Sequence, residues 1–300
     1  MSDEFIAFVN TVWVPVGLML IMFSMGLTLT LGHFALVLRN TRTVVAGLGG
    51  QLLLMPLLAL AVGAIFRLSP ELALGMFIVA ICPAGTTSNA LTFVGRGNVA
   101  LAVVLTALSS LVTVFSIPLL LSWALPWFLA EGGGTVPTLS IPTTIRQLAT
   151  ITLIPVVVGM IVRRFLPDFA DRLVPVLRPV AFIILVGVIV FAVAISAEMV
   201  LGNLVAVGPA IWVLNATAML VGWLVGKAIG ANRRDSMTLA IEVGVHNVTL
   251  AIFLTQTVLH SLPLALTQNV YGVVMLFNGT ILVRLLRDRM IAEAKSEAGA

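Results

Sequence analysis

The chain has 300 residues, 60% of them apolar and only 9% charged, with a mean hydropathy of +1.16. A soluble domain is nearer a quarter charged, so that class is excluded, and the long continuous apolar runs exclude a β-barrel built from short alternating strands. The formal net charge of +4 does not point to nucleic acid, because the basic residues are spread over the links between apolar runs.

A helix that satisfies its own backbone hydrogen bonds crosses a bilayer in roughly 20 apolar residues. Nine such spans are predicted, at 10–33, 44–66, 72–94, 98–126, 141–162, 174–197, 204–229, 236–259 and 264–286. The N-terminus ahead of them is acidic (Ser2-Asp3-Glu4), and no small-residue cleavage site follows the first run, so no signal peptide is expected. The second span carries Gln51, which alone could simply bridge two helices at ~0.6 kcal/mol. The third contains Cys82-Pro-Ala-Gly-Thr-Thr-Ser-Asn89. Pro83 removes a backbone donor and clashes with the turn before it, and Gly85 loosens the chain further. The bland reading is a proline kink with back-bonded hydroxyls. The sharper one is an unwound segment near the membrane midplane, where freed carbonyls and side-chain oxygens can bind ions. Thr106, Ser109 and Ser110 follow in the fourth span.

Glu131-Gly-Gly-Gly-Thr-Val-Pro137 is the longest flexible link, and Arg163–Asp171 joins the fifth span to the sixth. Asn215 and Thr217 in the seventh span, and Asn278-Gly-Thr280 in the ninth, suit close helix packing. The eighth span holds Glu242-Val-Gly-Val-His-Asn-Val-Thr249. Glu242 is the only one of the 12 acidic residues that falls well inside a span. A carboxylate at that depth costs at least a few kcal/mol unless a cation or donor answers it. Trp13, Trp123, Trp127 and Trp212 near span ends fit interfacial anchoring. Cys82, the single cysteine, allows no intrachain disulfide.

With the N-terminus outside, 14 of the 16 Lys and Arg residues fall on or near the cytoplasmic side, and only Arg67 and Arg146 fall outside. An even number of spans would destroy that bias. The third and eighth spans are each third in a run of four, and the two runs begin on opposite sides. Corresponding broken helices in inverted halves mark a transporter site.

At these residues the chain resembles the bile acid:sodium symporter family. The resemblance rests on Met22-Phe-Ser-Met-Gly-Leu-Thr-Leu29, on Cys82–Asn89 followed by Arg96-Gly-Asn-Val-Ala-Leu101 and Thr106, and on Glu242-Val-Gly-Val-His-Asn247, in family order over nearly the whole chain. It implies an all-α polytopic membrane protein in which 1–300 form one transmembrane unit. Its core domain would be 44–126 and 204–286, its panel domain 10–33 and 141–197, with two broken helices crossing in the core. It also implies two sodium sites, one from Ser88, Asn89, Thr106 and Glu242. The other would take Gln51, Glu242, the carbonyls of Val243 and Val245, and the position of His246. Thr86, Thr87, Asn247 and Asn278 fall where substrate would be held. Two positions depart from the pattern. Ala102 replaces a serine ligand of the first site, and His246 replaces a glutamine ligand of the second. Hard cations prefer oxygen ligands, so an imidazole is a poor substitute for an amide oxygen. A buried histidine near a carboxylate is also a candidate proton carrier; the bland alternative is that it donates one hydrogen bond to Glu242 or a carbonyl.

The expected function is therefore sodium-coupled symport of a small organic anion, such as a bile-acid-like steroid, pantoate or a 2-oxo acid. Proton-coupled transport through His246 and Glu242, or a non-transporting membrane binding protein, are the alternatives. No phosphate loop, metal-spacing cluster or Ser-His-Asp set suggests an enzyme. No cofactor beyond the sodium ions, no nucleic acid and no obligate protein partner is expected. The expected location is the inner (plasma) membrane, with the C-terminus cytoplasmic.

Overall fold

The computed structural model describes residues 4, 8–130, 137–195 and 197–298; Asp3 and the glycine-rich stretch 131–136 lie outside the described residues. The chain is helical almost throughout. Its helices are α1 (Val9–Gly26), α2 (Leu31–Arg39), α3 (Thr41–Ile65), α4 (Pro70–Ile81), α5 (Thr86–Val94), α6 (Val99–Leu129), α7 (Ile141–Phe165), α8 (Pro167–Ile195), α9 (Ala197–Ala228), α10 (Arg233–Gly244), α11 (Val248–Val258) and α12 (Leu262–Ala298). No strand occurs among the described residues; the only extended pairing is an isolated antiparallel bridge between Ala84 and His246.

Among the described residues, seven helices (α1, α3, α6, α7, α8, α9 and α12) are long and apolar enough to cross a membrane. At the expected third and eighth spans the chain instead forms two pairs of short helices, α4 with α5 and α10 with α11. Two further expectations are corrected. The first span does not run to residue 33, because α1 ends at Gly26 and a turn follows in which Thr28 Oγ1 donates to the Met25 carbonyl at 2.7 Å. The link Arg163–Asp171 is almost wholly helical. Pro167 opens α8 at a position that needs no N–H, and Asp168 faces the positive end of the helix.

Local chemistry explains several boundaries. Ser69 caps α4 ahead of Pro70 and Glu71, Asn98 caps α6 by accepting from Leu101 N–H, and Asn232 caps α10 by accepting from Asp235 N–H. Three helices contain a π turn immediately ahead of a proline. The N–H of Val14, Met55 and Ile154 bonds the carbonyl five residues back in each case, and Pro15, Pro56 and Pro155 follow. The widened turn keeps the proline ring off the carbonyl it would otherwise strike.

Packing falls into two sets. α1 lies against α7 and α8, while α3, α4, α6, α9, α10 and α12 pack chiefly on one another. α1 and α7 cross at backbone distance: a Cβ on Gly26 would sit 2.2 Å from the Val156 carbonyl oxygen, and one on Gly159 would sit 2.5 Å from that of Phe23. Outward-facing Leu57, Phe115, Ile161, Ile183, Leu220 and Phe277 are exposed, as lipid-facing side chains are in a membrane protein.

Candidate functional site

The two helix breaks meet. α4 stops because Cys82, ahead of Pro83, is forced into an extended conformation (ψ 154°). α10 stops at Gly244, after which Val245 is extended (φ −115°, ψ 97°). Each break then satisfies the other's freed backbone. Asn247 N–H donates to the Pro83 carbonyl at 2.8 Å, and Gly85 N–H donates to that of Val245 at 3.3 Å. Non-helical backbone inside a membrane protein needs such partners.

Glu242, on the last turn of α10, is fully buried beside this crossing. Ser88 Oγ lies 2.5 Å from its Oε1, and Thr106 Oγ1 and Gln51 Nε2 lie 3.0 and 3.2 Å from its Oε2. Every one of these groups is neutral. Two of them are also claimed elsewhere: Ser88 Oγ is 2.7 Å from the Gly85 carbonyl, and Thr106 Oγ1 is 3.4 Å from Asn89 Oδ1. Each hydroxyl has one proton for two acceptors. Glu242 can take both hydroxyl protons and the Gln51 N–H, but only neutral donors then answer a buried ion, whose desolvation costs several kcal/mol. Ser88, Asn89, Thr106 and Glu242 thus converge as a set of oxygens with more lone pairs than protons, the donor chemistry that suits a hard cation. Ala102 is buried and offers this cluster no oxygen.

Gln51 sits in the π turn Gly50–Leu54 of α3, a feature often found at functional positions. α3 reaches α10 here because Gly50 has no side chain; a Cβ on it would lie 2.7 Å from Val243 Cγ2. The Gln51 amide nitrogen serves Glu242, while its Oε1 is buried without a protein partner. That free carbonyl oxygen is one unused ligand for a second cation. The other expected members are more engaged. The Val245 carbonyl accepts from Gly85, and that of Val243 lies 3.0 Å from His246 Nε2. His246 makes no hydrogen bond to Glu242; its Nδ1 lies 2.7 Å from the Cys82 carbonyl. Both ring nitrogens thus face acceptors, and a neutral imidazole carries only one N–H.

A cavity of about 300 Å³ adjoins the crossing, between α1, α5, α6 and α8, lined in part by Ser24, Thr28, Thr86, Thr87 and Asn89. No charged side chain lines it. Thr86 and Thr87 also line a smaller recess with His246, Asn247 and Thr249. They open α5, whose first turn has no side-chain cap, so the positive end of this helix lies at the lining of both spaces. Asn247 caps α11 through its Oδ1, and its buried Nδ2 has no protein partner. Two helix starts and a spare amide donor are together suited to one anionic group.

Asn278 does not line this cavity. Its amide donates to Asn215 Oδ1 at 3.0 Å, and Asn215 Nδ2 and Tyr271 Oη both donate to the Gly244 carbonyl, at 2.6 and 2.9 Å. This chain of donors fixes the end of α10; the sequence assigns Asn215 only to close helix packing and does not single out Tyr271. The signal was present: Tyr271 is the only tyrosine of the chain, and a hydroxyl in an apolar span needs a partner.

Residues 15–203 match the family described as the Sodium Bile acid symporter family. The chain is 33% identical over 242 residues to an Arabidopsis thaliana protein named "Probable sodium/metabolite cotransporter BASS1, chloroplastic", covering 81% of this chain and 58% of that one. It is 30% identical to the Bacillus subtilis "Uncharacterized sodium-dependent transporter YocS", over 96% of this chain and 86% of the other. It is also 30% identical to the "Sodium-dependent organic anion transporter" of Rattus norvegicus, over 92% and 74% of the two chains.

Proposed function

Because the chain belongs to the sodium bile acid symporter family, we propose that it moves a small organic anion across the membrane together with sodium, by alternating access. One observation carries this reading: a buried carboxylate lies among neutral oxygens, with the spare Gln51 Oε1 beside it, where two helix breaks pair next to a cavity. Sodium is cargo here. One ion would be held by Ser88, Asn89, Thr106 and Glu242. A second would use Gln51 and Glu242, with Val243, Val245 and His246 shaping its surroundings. The ions would neutralise Glu242 and draw α5, α6, α3 and α10 together around the crossing. The anionic group of the substrate would bind at Thr86, Thr87 and Asn247, with its apolar part in the cavity. Asn278 would act through Asn215 and Gly244. The two packing sets support a panel (10–33 and 141–197) that rocks against a core (44–126 and 204–286). The N-terminus would lie outside and the C-terminus in the cytoplasm, in the plasma membrane of the cell. Bile-acid-like steroids, pantoate and 2-oxo acids are the substrate classes to try.

The test is the thermal stability of detergent-purified protein titrated with sodium, potassium replacing it at constant ionic strength. A ligand that binds only the folded state adds RT ln(1 + [L]/Kd), about 2.7 kcal/mol at 100 times Kd. A saturable rise that disappears in Glu242→Ala is expected, and sodium-driven uptake into vesicles should follow. No sodium response in the unaltered protein would overturn the reading.

A second reading, proton coupling, is favoured by one specific observation. Both nitrogens of His246 face carbonyl oxygens, an arrangement that an imidazolium satisfies fully and an imidazole only half. If His246 carries a proton during transport, uptake depends on pH and His246→Gln flattens the profile; an unchanged profile removes this reading.

A further inference from the structure

A groove larger than the cavity at the helix crossing lies elsewhere on the molecule. It holds about 580 Å³ between the α1–α2 link and the second half of α7. Its walls are apolar, including Leu29, Leu31, Val157 and Ile161, and Arg163 and Arg164 stand at one end. Val157, Ile161 and Arg164 recur at i, i+4 and i+7 and so form one stripe of α7. Leu31, Val157, Ile161 and Phe165 are exposed, from 44% at Val157 to 75% at Phe165. The groove therefore opens on the outer face of the helix bundle, where a membrane protein meets lipid.

The two arginines differ. Arg163 is paired with Asp171 across the short turn into α8, so its charge is balanced. Arg164 has no hydrogen bond or ion pair among the described residues. The groove thus offers one unbalanced positive charge at the end of an apolar trough about 10 Å long, counting seven residues at 1.5 Å each. Gly32 narrows it little: a Cβ there would meet only Thr30 Oγ1, at 3.6 Å. An amphiphile with one anionic head and an alkyl chain complements these features in both charge and polarity. The positive-inside bias places this end at the cytoplasmic leaflet, where anionic lipids meet basic pockets between helices.

We infer that this groove binds one anionic glycerophospholipid, its phosphodiester on Arg164 and an acyl chain along Leu31, Val157 and Ile161. The test uses the full chain in neutral detergent without sodium, so that its outcome is independent of the transport reading. Thermal unfolding is followed while phosphatidylglycerol, phosphatidylcholine of the same chains, or water-soluble glycerol phosphate is added. Phosphatidylglycerol is expected to give a saturable rise in Tm that neither of the others reproduces. Arg164→Gln should leave the lipid-free Tm unchanged and weaken the apparent affinity at least tenfold. Met160→Trp, which fills the trough, should weaken it while keeping the arginine. Equal stabilisation by phosphatidylcholine, a full response in Arg164→Gln, or the same response to glycerol phosphate alone would each overturn the inference.

Discussion

At the scale of single residues, the number of protons available decides what Glu242 does. Ser88 and Thr106 each have one proton and a second acceptor within reach, so the carboxylate shares their reach with the Gly85 carbonyl and Asn89 Oδ1 and meets no positive charge. Gln51 gives its N–H to Glu242 and holds its oxygen unused. If that oxygen ligates a second sodium, Gln51→Ala should weaken sodium-dependent stabilisation by roughly tenfold in apparent affinity, the equivalent of about 1.4 kcal/mol. It should also bring the slope of the dose-response curve down towards that of one ion. Asn89→Ala, on the other oxygen cluster, should weaken affinity and leave the sites unequal. Identical curves for Gln51→Ala and the unaltered protein would restrict the molecule to a single sodium site. Much of this cluster was legible in the sequence. Glu242 stood out because charge inside a span is rare, and Ser88 and Asn89 followed a proline that had to break its helix. The partners of His246 were not legible. Its ring meets the Cys82 carbonyl, 164 positions away, a contact that arises only when the two breaks pair.

At the scale of elements, hydropathy located the long spans but said little about how they meet. The predicted first span takes in the first three residues of α2 because leucines recur at 27, 29 and 31, whereas the turn between α1 and α2 is held by local bonds such as Thr28 N–H and Oγ1 to the Met25 carbonyl. The helical link at Pro167 carried ordinary start signals that its arginines and aspartates obscured. The three π turns are readable in hindsight from Pro15, Pro56 and Pro155, since a proline inside a helix must displace the carbonyl it would strike. The close crossing of α1 on α7 rests on two glycines, Gly26 and Gly159, whose role only three-dimensional contact reveals. Gly159→Ala would place a Cβ 2.5 Å from the Phe23 carbonyl oxygen and 2.8 Å from the Leu27 nitrogen, both backbone atoms that cannot swing away. Overpacking of this kind costs typically 1–3 kcal/mol. A lower Tm in detergent is expected for Gly159→Ala, against no loss for Gly49→Ala, where a Cβ meets nothing within 4 Å. Equal stability of the two variants would mean that the α1–α7 crossing can open without cost.

At the scale of the whole molecule, the two ends differ. The cavity lies towards the end that carries Phe93, Val94 and Val99, next to Arg96, the side expected to face the cytoplasm. At the opposite end the π turn of α1 touches a further π turn, Phe253–Val258 in α11, and Thr257 Oγ1 donates to the Asn10 carbonyl at 2.8 Å. α1 belongs to one packing set, and α11 pairs with the break in the other. Beside this contact, Asn10 Oδ1 and both polar atoms of the Gln256 side chain are buried without protein partners. Unsatisfied buried groups cost about 1–3 kcal/mol each, so this closure is poorly bonded for its burial, and admission of water would relieve it. A boundary of that kind suits a contact that must open once in every transport cycle. Cysteines placed at Asn10 and Thr257 and joined by a short bifunctional methanethiosulfonate should hold this end shut. Uptake should then stop, and should return when dithiothreitol cleaves the link; either cysteine alone, treated in the same way, should transport normally. The only native cysteine, Cys82, is 1% exposed, so labelling at the introduced pair can be read without removing it. Full cross-linking with uptake intact would mean that α1 and α11 travel together, and that the moving boundary of the transporter runs elsewhere.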